Sequence, residues 1–148
     1  MNISLGCDHG GYDLKEAVKK HLEAQGHTCK DFGCYDKNSC DYPNHGRPAA
    51  EAVANGECDK GIVICTTGIG MSMVANKVKG VRAALCADSL SAELTRQHNN
   101  ANVLVLGAGI VGMNLALKIV DTFMTTDFSG DERHQRRIDL IRNKLKEL

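Results

Sequence analysis

Short hydrophobic runs alternate along this chain with longer segments in which apolar residues recur at helical spacing. A short run that is rich in Val and Ile and bounded by turn residues is typical of a buried β-strand. Such runs predict five strands, which cover residues 3–7, 28–32, 61–65, 82–86 and 103–106.

The segments between the strands have the period of α-helices. In the first of them Leu14, Ala17, Val18 and Leu22 share one face, because residues three, four and eight apart lie on the same side of a helix. The other helices are predicted over 49–54, ending near Gly56; from Gly68; from Ser89 to about His98, with Asp88 as N-cap; over 113–124; and along the segment that carries His134, Ile138, Ile141 and Leu145.

Strand and helix thus repeat five times, and one more helix follows. This order is typical of a parallel sheet that is covered on both faces. We therefore predict an α/β fold for residues 1–148: a single doubly wound, Rossmann-like domain with a five-stranded parallel sheet, helices on both faces and a C-terminal helix. No repeat, linker or low-complexity tract interrupts the pattern.

The composition narrows the classes of partner. A chain of 148 residues, 43% hydrophobic and 24% charged, is long enough for one globular domain with its own core. Lys+Arg and Asp+Glu both number 18, so the net charge is zero. We expect no nucleic-acid or membrane partner, because both would favour a basic surface. An anionic ligand would have to be bound by a few placed cations.

The sequence also predicts a cytoplasmic protein without a metal. No apolar run approaches the roughly 20 residues that cross a membrane, and the first residues resemble a strand rather than a signal segment. Seven cysteines, an odd number, then indicate buried thiols or one reactive thiol rather than disulfides. A zinc site built from Cys29, Cys34 and Cys40 would lack any C-x-x-C pair.

Ligands of doubly wound sheets bind beyond the carboxyl ends of the strands. The unusual residues of this chain are predicted to lie there: 8–11 after the first strand, 65–71 after the third, 87–89 after the fourth and 107–109 after the fifth. Glycines at such positions also serve tight turns, so by themselves they say little about function.

The segment CTTGIGM at 65–71 is the strongest candidate. A helix that begins near Gly68 would direct free backbone N–H groups at an anion, and it would favour a thiolate at Cys65. A structural cysteine before a glycine-rich turn explains the same residues equally well. The segment matches neither the Walker A motif nor the G-x-G-x-x-G dinucleotide motif, so we expect no cofactor.

Two pairs of side chains could handle protons or hydroxyl groups. Asp8 and His9 follow the first strand, and a carboxylate beside an imidazole suits that chemistry. The alternative is that Asp8 caps the next helix. His98 and Asn99 end the fourth helix, where a histidine can also simply offset the helix dipole.

Arg133 and Arg137 are four residues apart on the last helix and share one face, as a clamp for a phosphate group would. The helix is basic elsewhere too, so a solvated surface is the alternative.

These candidate residues taken together are stronger evidence for a function than any one of them alone. A thiol, an imidazole, a backbone anion site and paired arginines suit enediolate chemistry on a sugar phosphate.

Several motifs, in the same order, are shared with a known family. They are GCDHGGYDLK at 6–15, DYP at 41–43, the segment 61–112 from GIVICTTGIGM to LGAGIVG, and ERHQRRIDLI at 132–141. The chain resembles the type B ribose-5-phosphate isomerases and the related galactose-6-phosphate isomerase subunits along almost its entire length.

The resemblance implies that Cys65 is the base that takes the C2 proton and that His98 protonates the ring oxygen to open the furanose. Thr67 would add a hydroxyl group to the site. The backbone N–H groups that would hold the enediolate oxygens belong to Thr66, Thr67, Gly68, Ile69 and Gly70.

The resemblance also implies the remaining contacts. Asp8 and His9 would contact the sugar, Asn99 would lie near it, and Arg133 and Arg137 would bind the phosphate. Members of the family are homodimers, sometimes homotetramers, whose sites draw on both subunits, and they require no metal or organic cofactor.

The chain departs from the family pattern in the loop after Cys65 and at the phosphate end. Thr66 follows the cysteine where the family usually has Gly, Gly109 stands where it commonly has Arg, and one extra residue lies within 130–132.

The predicted function is interconversion of ribose 5-phosphate and ribulose 5-phosphate through a cis-enediolate. The alternatives are a hexose-6-phosphate isomerase of the allose or galactose series and a non-catalytic sugar-phosphate-binding paralogue.

Overall fold

A five-stranded, all-parallel sheet forms the centre of the computed structural model, which describes the backbone of residues 1–147 and the side chains of 1–141. The strand order is β2-β1-β3-β5-β4, so the predicted doubly wound fold is confirmed. The strands are β1 (Asn2–Cys7), β2 (Thr28–Asp31), β3 (Lys60–Cys65), β4 (Ala83–Leu85) and β5 (Val103–Gly107).

The helices follow the predicted order, and the Asp88 N-cap is confirmed, since its carboxylate accepts the Ser91 N–H at 2.6 Å. The predicted start of the second helix at 49 is wrong. This helix begins at Pro43, which fits a first helical position, and its first two turns are too polar to show a period. The predicted Leu145 side chain lies outside the described side chains. The helices are α1 (Tyr12–Ala24), α2 (Pro43–Ala54), α3 (Ile69–Asn76), α4 (Ser89–Asn99), α5 (Met113–Thr125) and α6 (Glu132–Glu147).

Side chains of the central strands alternate between two hydrophobic cores. Ile62 and Ile64 of β3 face the core beneath α1 and α5. Val63 and Cys65 face the second core, beneath α2 and α3. Because successive strand residues point to opposite faces, the last residue of β3 presents its thiol on the α2–α3 side of the sheet.

Helix α4 returns the chain to the opposite edge of the sheet. It starts at Ser89, just beyond the carboxyl end of β4, and ends at Asn99, just before β5 begins. Its 11 residues span roughly 16 Å. The end of α4 is tied to the start of β4, because Arg82 donates to the carbonyl groups of Asn99 and Asn100. His98 therefore lies at the amino edge of the sheet.

A buried ion pair holds the end of β2. The Lys15 side chain is 0% exposed, and its Nζ lies 2.8 and 2.9 Å from the two carboxylate oxygens of Asp31. The same Nζ donates to the carbonyl oxygen of Cys34 at 2.6 Å. These contacts fasten α1 to the loop that follows β2, next to the carboxyl edge.

We expect Lys15→Met to lower the free energy of unfolding by about 3–5 kcal/mol. The Asp31 carboxylate would stay largely buried but lose its ion pair with the Lys15 ammonium group. Lys19→Met is the matched control: Lys19 is 31% exposed and lies 3.5 Å from the same carboxylate, so we expect a loss below about 1 kcal/mol. Urea unfolding measures both. Equal losses would contradict a special role for Lys15.

Candidate active site

An open cleft of about 450 Å³ lies at the carboxyl edge of the sheet, where the β3–α3 turn faces the start of α2. Six of its lining residues were predicted as site residues from the sequence, and two were not. The first six are Asp8, Cys65, Thr66, Thr67, Ile69 and Gly70, and the other two are Tyr42 and Met73.

The Cys65 thiol lies at the base of this cleft. The residue ends β3 and is 5% exposed, and its Sγ accepts the Gly68 N–H at 3.2 Å. Helix α3 starts at Ile69, so the positive end of its dipole lies beside the sulfur. An N–H donor and a helix N-terminus both favour negative charge on the sulfur.

The tight turn between Cys65 and α3 depends on Gly68. Its φ of 79° lies in the left-handed region, which favours glycine. A Cβ at this position would also lie 3.1 Å from the backbone carbon of Leu106. The turn therefore lies close against β5. At the start of α3 the Ile69 N–H donates to Thr67 Oγ1 at 3.2 Å, and the N–H groups that follow in the first turn have no acceptor within the helix.

Asp8 both caps a turn and lines the cleft. It follows β1, is 8% exposed, and its Oδ1 accepts the Gly11 N–H at 3.1 Å. Asp8 therefore caps the 3-10 turn His9–Gly11, while Gly11 is the N-cap of α1. The capping alternative is correct for this turn, and it coexists with a place in the cleft. His9 is exposed beside the cleft, where its Nδ1 accepts the Cys40 N–H at 3.3 Å.

Thr66 and Gly109, two of the departures from the family pattern, are neighbours. The Gly109 N–H donates to the Thr66 carbonyl at 2.8 Å. A Cβ at Gly109 would lie 3.1 Å from the Thr66 methyl group, and one at Gly10 would overlap the Thr66 hydroxyl. The Thr66 side chain thus occupies the space between two glycines, and a larger residue at 109 would compete with it.

Tyr42 is one of the two cleft residues, with Met73, that the sequence analysis did not predict. Its ring lies over Gly70, where a Cβ would come within 2.7 Å of the Tyr42 Cζ. The segment DYP at 41–43 contributed to the resemblance, but Tyr42 received no role. An aromatic residue directly before the proline that starts a helix was the available signal.

The other predicted site residues do not reach this cleft within one chain. His98 and Asn99 are exposed at the end of α4, at the amino edge of the sheet. Arg133 and Arg137 are exposed on α6, which packs on α4, and the His98 and His134 rings are 4.5 Å apart. The predicted site residues therefore form two groups, one at each edge.

The other cysteines lie outside the cleft. All seven, which lie in the described part of the chain, are free thiols. Burial raises the pKa of the Cys86 thiol to about 11, and it also raises the pKa of the Cys7 thiol, so both thiols favour the neutral form.

Among the residues whose side chains are described, no three His, Cys, Asp or Glu side chains are grouped to hold a metal ion. No helix in this part of the chain is long and apolar enough to span a membrane.

Comparison with known proteins gives consistent results. The family model for ribose/galactose isomerases matches residues 3–141. Ribose-5-phosphate isomerase B of Escherichia coli is 45% identical over 94% of this chain and 93% of its own length. The galactose-6-phosphate isomerase subunit LacB of Clostridium acetobutylicum is 42% identical over 97% and 85%. The solved ribose-5-phosphate isomerase B of Clostridium thermocellum superimposes with a TM-score of 0.97, at 49% identity and 99% coverage of both chains.

The packing of Thr66 against Gly109 predicts a coupled pair. We expect Gly109→Arg to lower the free energy of unfolding by about 1 kcal/mol, because both residues are exposed and only the Cβ at 109 crowds the Thr66 methyl group. In a Thr66→Gly background the loss should shrink by at least about 0.5 kcal/mol. Urea unfolding of the four proteins measures the coupling.

Gly112→Ala is the control, since a Cβ there meets nothing within 4 Å. Its effect should be the same in both backgrounds. Equal losses for Gly109→Arg in the two backgrounds would contradict the shared space.

Proposed function

The chain belongs to the ribose/galactose isomerase family of aldose–ketose isomerases, and we propose that it interconverts ribose 5-phosphate and ribulose 5-phosphate with Cys65 as the base. One observation carries the role of Cys65. Its sulfur lies at the base of the cleft, with the Gly68 N–H directed at it and the start of α3 beside it. The reaction needs a base at such a place.

The proposed chemistry is a proton transfer within the substrate. The Cys65 thiolate removes the C2 proton of the open-chain aldose and returns it to C1, while the hydroxyl proton moves from O2 to O1. The N–H groups at the start of α3 stabilise the cis-enediolate, and one such donor contributes about 2.7–4 kcal/mol in other enzymes. Thr67 Oγ1 accepts the Ile69 N–H at 3.2 Å, so its own proton is available for a substrate oxygen.

We propose that a second copy of the chain completes each site. His98, Asn99, Arg133 and Arg137 lie at the opposite edge from Cys65, so a single chain cannot bring them to one substrate. A homodimer, or a homotetramer built from it, would place the amino edge of one copy beside the cleft of another. Arg133 and Arg137 would then bind the phosphate, and His98 would protonate the ring oxygen.

Exposed hydrophobic side chains support this assembly. They lie on α3, on the edge strand β4, on α4, in the loop after β5 and at the start of α5. A surface of this kind is typical of an interface between proteins. Its members are Ile69, Met73, Leu85, Leu90, Leu94, Ile110 and Met113.

The free thiols indicate where the enzyme works, and the isomerisation itself indicates which cofactors it needs. We place the enzyme in the cytoplasm, because its seven thiols are free and reducing compartments keep thiols in that state. No redox cofactor is needed, since the aldehyde carbon is reduced as the neighbouring carbon is oxidised. The electrons stay in the substrate.

A hexose-6-phosphate isomerase of the allose or galactose series is the second candidate. Two observations favour it: the 42% identity to a galactose-6-phosphate isomerase subunit, and Gly109 at a position where the family commonly has a phosphate-binding Arg.

Pentose and hexose phosphates assayed side by side decide between the ribose 5-phosphate and the hexose 6-phosphate reaction. A higher kcat/KM for a hexose 6-phosphate would overturn the ribose 5-phosphate proposal. If no sugar phosphate exchanges a proton with D2O, the protein is a non-catalytic binder.

We expect Cys65→Ala to lower kcat/KM for ribose 5-phosphate at least about 10³-fold and to abolish proton exchange, because the base is lost. Cys58→Ala is the control, since Cys58 is also buried but lies before β3 at the amino edge. It should keep activity near that of the wild type. An active Cys65→Ala protein would show that another group is the base.

Mixing two inactive variants tests the shared site. Cys65→Ala and His98→Ala should each be nearly inactive on ribose 5-phosphate. After subunit exchange, mixed dimers would contain one site with both groups intact, so about one quarter of the wild-type activity should return. A mixture that stays inactive although mass spectrometry detects mixed dimers would contradict the shared site.

A further inference from the structure

His134 lies between the two proposed phosphate ligands in sequence but points away from them. Arg133 and Arg137 are exposed, whereas His134 is 6% exposed and faces α4. Its ring centroid lies 4.5 Å from that of His98, and the two planes are tilted by 37°. His134 and Ile138, which the sequence places four residues apart on the last helix, are both buried. This packing brings the His134 ring into contact with His98, the proposed acid.

Hydrogen bonds fix the His134 ring in this place. Its Nδ1 shares a hydrogen bond with the Ser129 hydroxyl at 2.8 Å and lies 3.8 Å from an Asp131 carboxylate oxygen. The Ser129 hydroxyl also accepts the Asp131 N–H at 3.1 Å. The Ser129 N–H donates to the carbonyl of Gln97, the neighbour of His98, at 3.1 Å. A closed set of contacts therefore joins the start of α6 to the end of α4.

His98, in contrast, is exposed at the last turn of α4. An exposed imidazole at a helix end has several rotamers, and a general acid works only when its proton points at the receiving atom. The His134 ring packs against the His98 ring at a tilt of 37° and so limits its orientations. Burial is the main cause that lowers the pKa of His134, and the neighbouring His98 lowers it further.

We propose that His134 is a positioning residue for His98, and that it connects the orientation of this acid to the phosphate clamp on α6. This inference rests on the proposed function, in which His98 opens the furanose ring. His98 gives its proton to the ring oxygen, and the bond from that oxygen to C1 breaks. The C1 hydroxyl becomes the aldehyde as its proton passes to solvent, from which His98 is protonated again.

The chemistry of the two substrates allows this role to be isolated. Ribose 5-phosphate is a furanose and must be opened before Cys65 can act. Ribulose 5-phosphate cannot form such a ring, because the hydroxyl that would close it is esterified. Exchange of its C1 proton with D2O therefore needs the Cys65 loop and phosphate binding, but no ring opening.

We expect His134→Ala to lower kcat/KM for ribose 5-phosphate about 10- to 100-fold, since misplacing an acid removes most of its effect. The rate of C1 proton exchange with ribulose 5-phosphate should stay within about twofold of the wild type. Ser129→Ala and His134→Phe should show the same split at smaller size. These two variants still test the role of His134 if His134→Ala does not fold.

Gln135→Ala is the matched control, because Gln135 is exposed on the next position of the same helix. It should change neither rate. Equal losses in both rates for the His134 variants would mean a structural role only, and unchanged rates would mean no role. Both results overturn the inference.

His98→Ala separates a failure of the inference from a failure of the proposed function. It should lower ribose 5-phosphate turnover strongly while sparing ribulose 5-phosphate exchange. If it abolishes both, His98 does not act in ring opening, and the inference about His134 falls with that role. If His98→Ala shows the split and the His134 variants do not, only the inference about His134 is wrong.

Discussion

All five strands run in the same direction, and the division of the site follows from that constraint. Each strand delivers its chain to the carboxyl edge, so the turns that carry Asp8 and Cys65 must meet there. Each crossover helix has to return to the amino edge before the next strand begins. His98, at the end of α4, is therefore held far from Cys65 by the same geometry that brings Asp8 close.

Within that frame, the cleft depends on a few close backbone approaches. The turn after Cys65 lies against β5 because Gly68 has no side chain, and Tyr42 reaches the same turn across Gly70. On the other side of the sheet the buried Lys15 ties the end of β2 to α1. The Cys65 thiol is thus placed by contacts between elements far apart in sequence, and the start of α3 lies beside it.

Much of this was predictable from sequence, because period and capping are local properties. The five strands, the Asp88 cap and the loop from Cys65 followed from residues within one or two turns of each other. The start of α2 did not, since its first turns carry polar residues and show no period. Tyr42 was missed because its place in the site comes from the missing Cβ of Gly70. The contact between His98 and His134 joins two helices whose packing no local pattern encodes.

The close packing of Thr66 against Gly109 also restricts how this site can have arisen. Glycine at 66 would leave a side chain at 109 only the carbonyl oxygen of residue 66 to accommodate, and glycine at 109 leaves threonine at 66 the space that it occupies here. A change from the first arrangement to this one therefore has a favoured order, in which residue 109 loses its side chain before threonine enters at 66. The reverse order passes through an ancestor in which two side chains compete for one space.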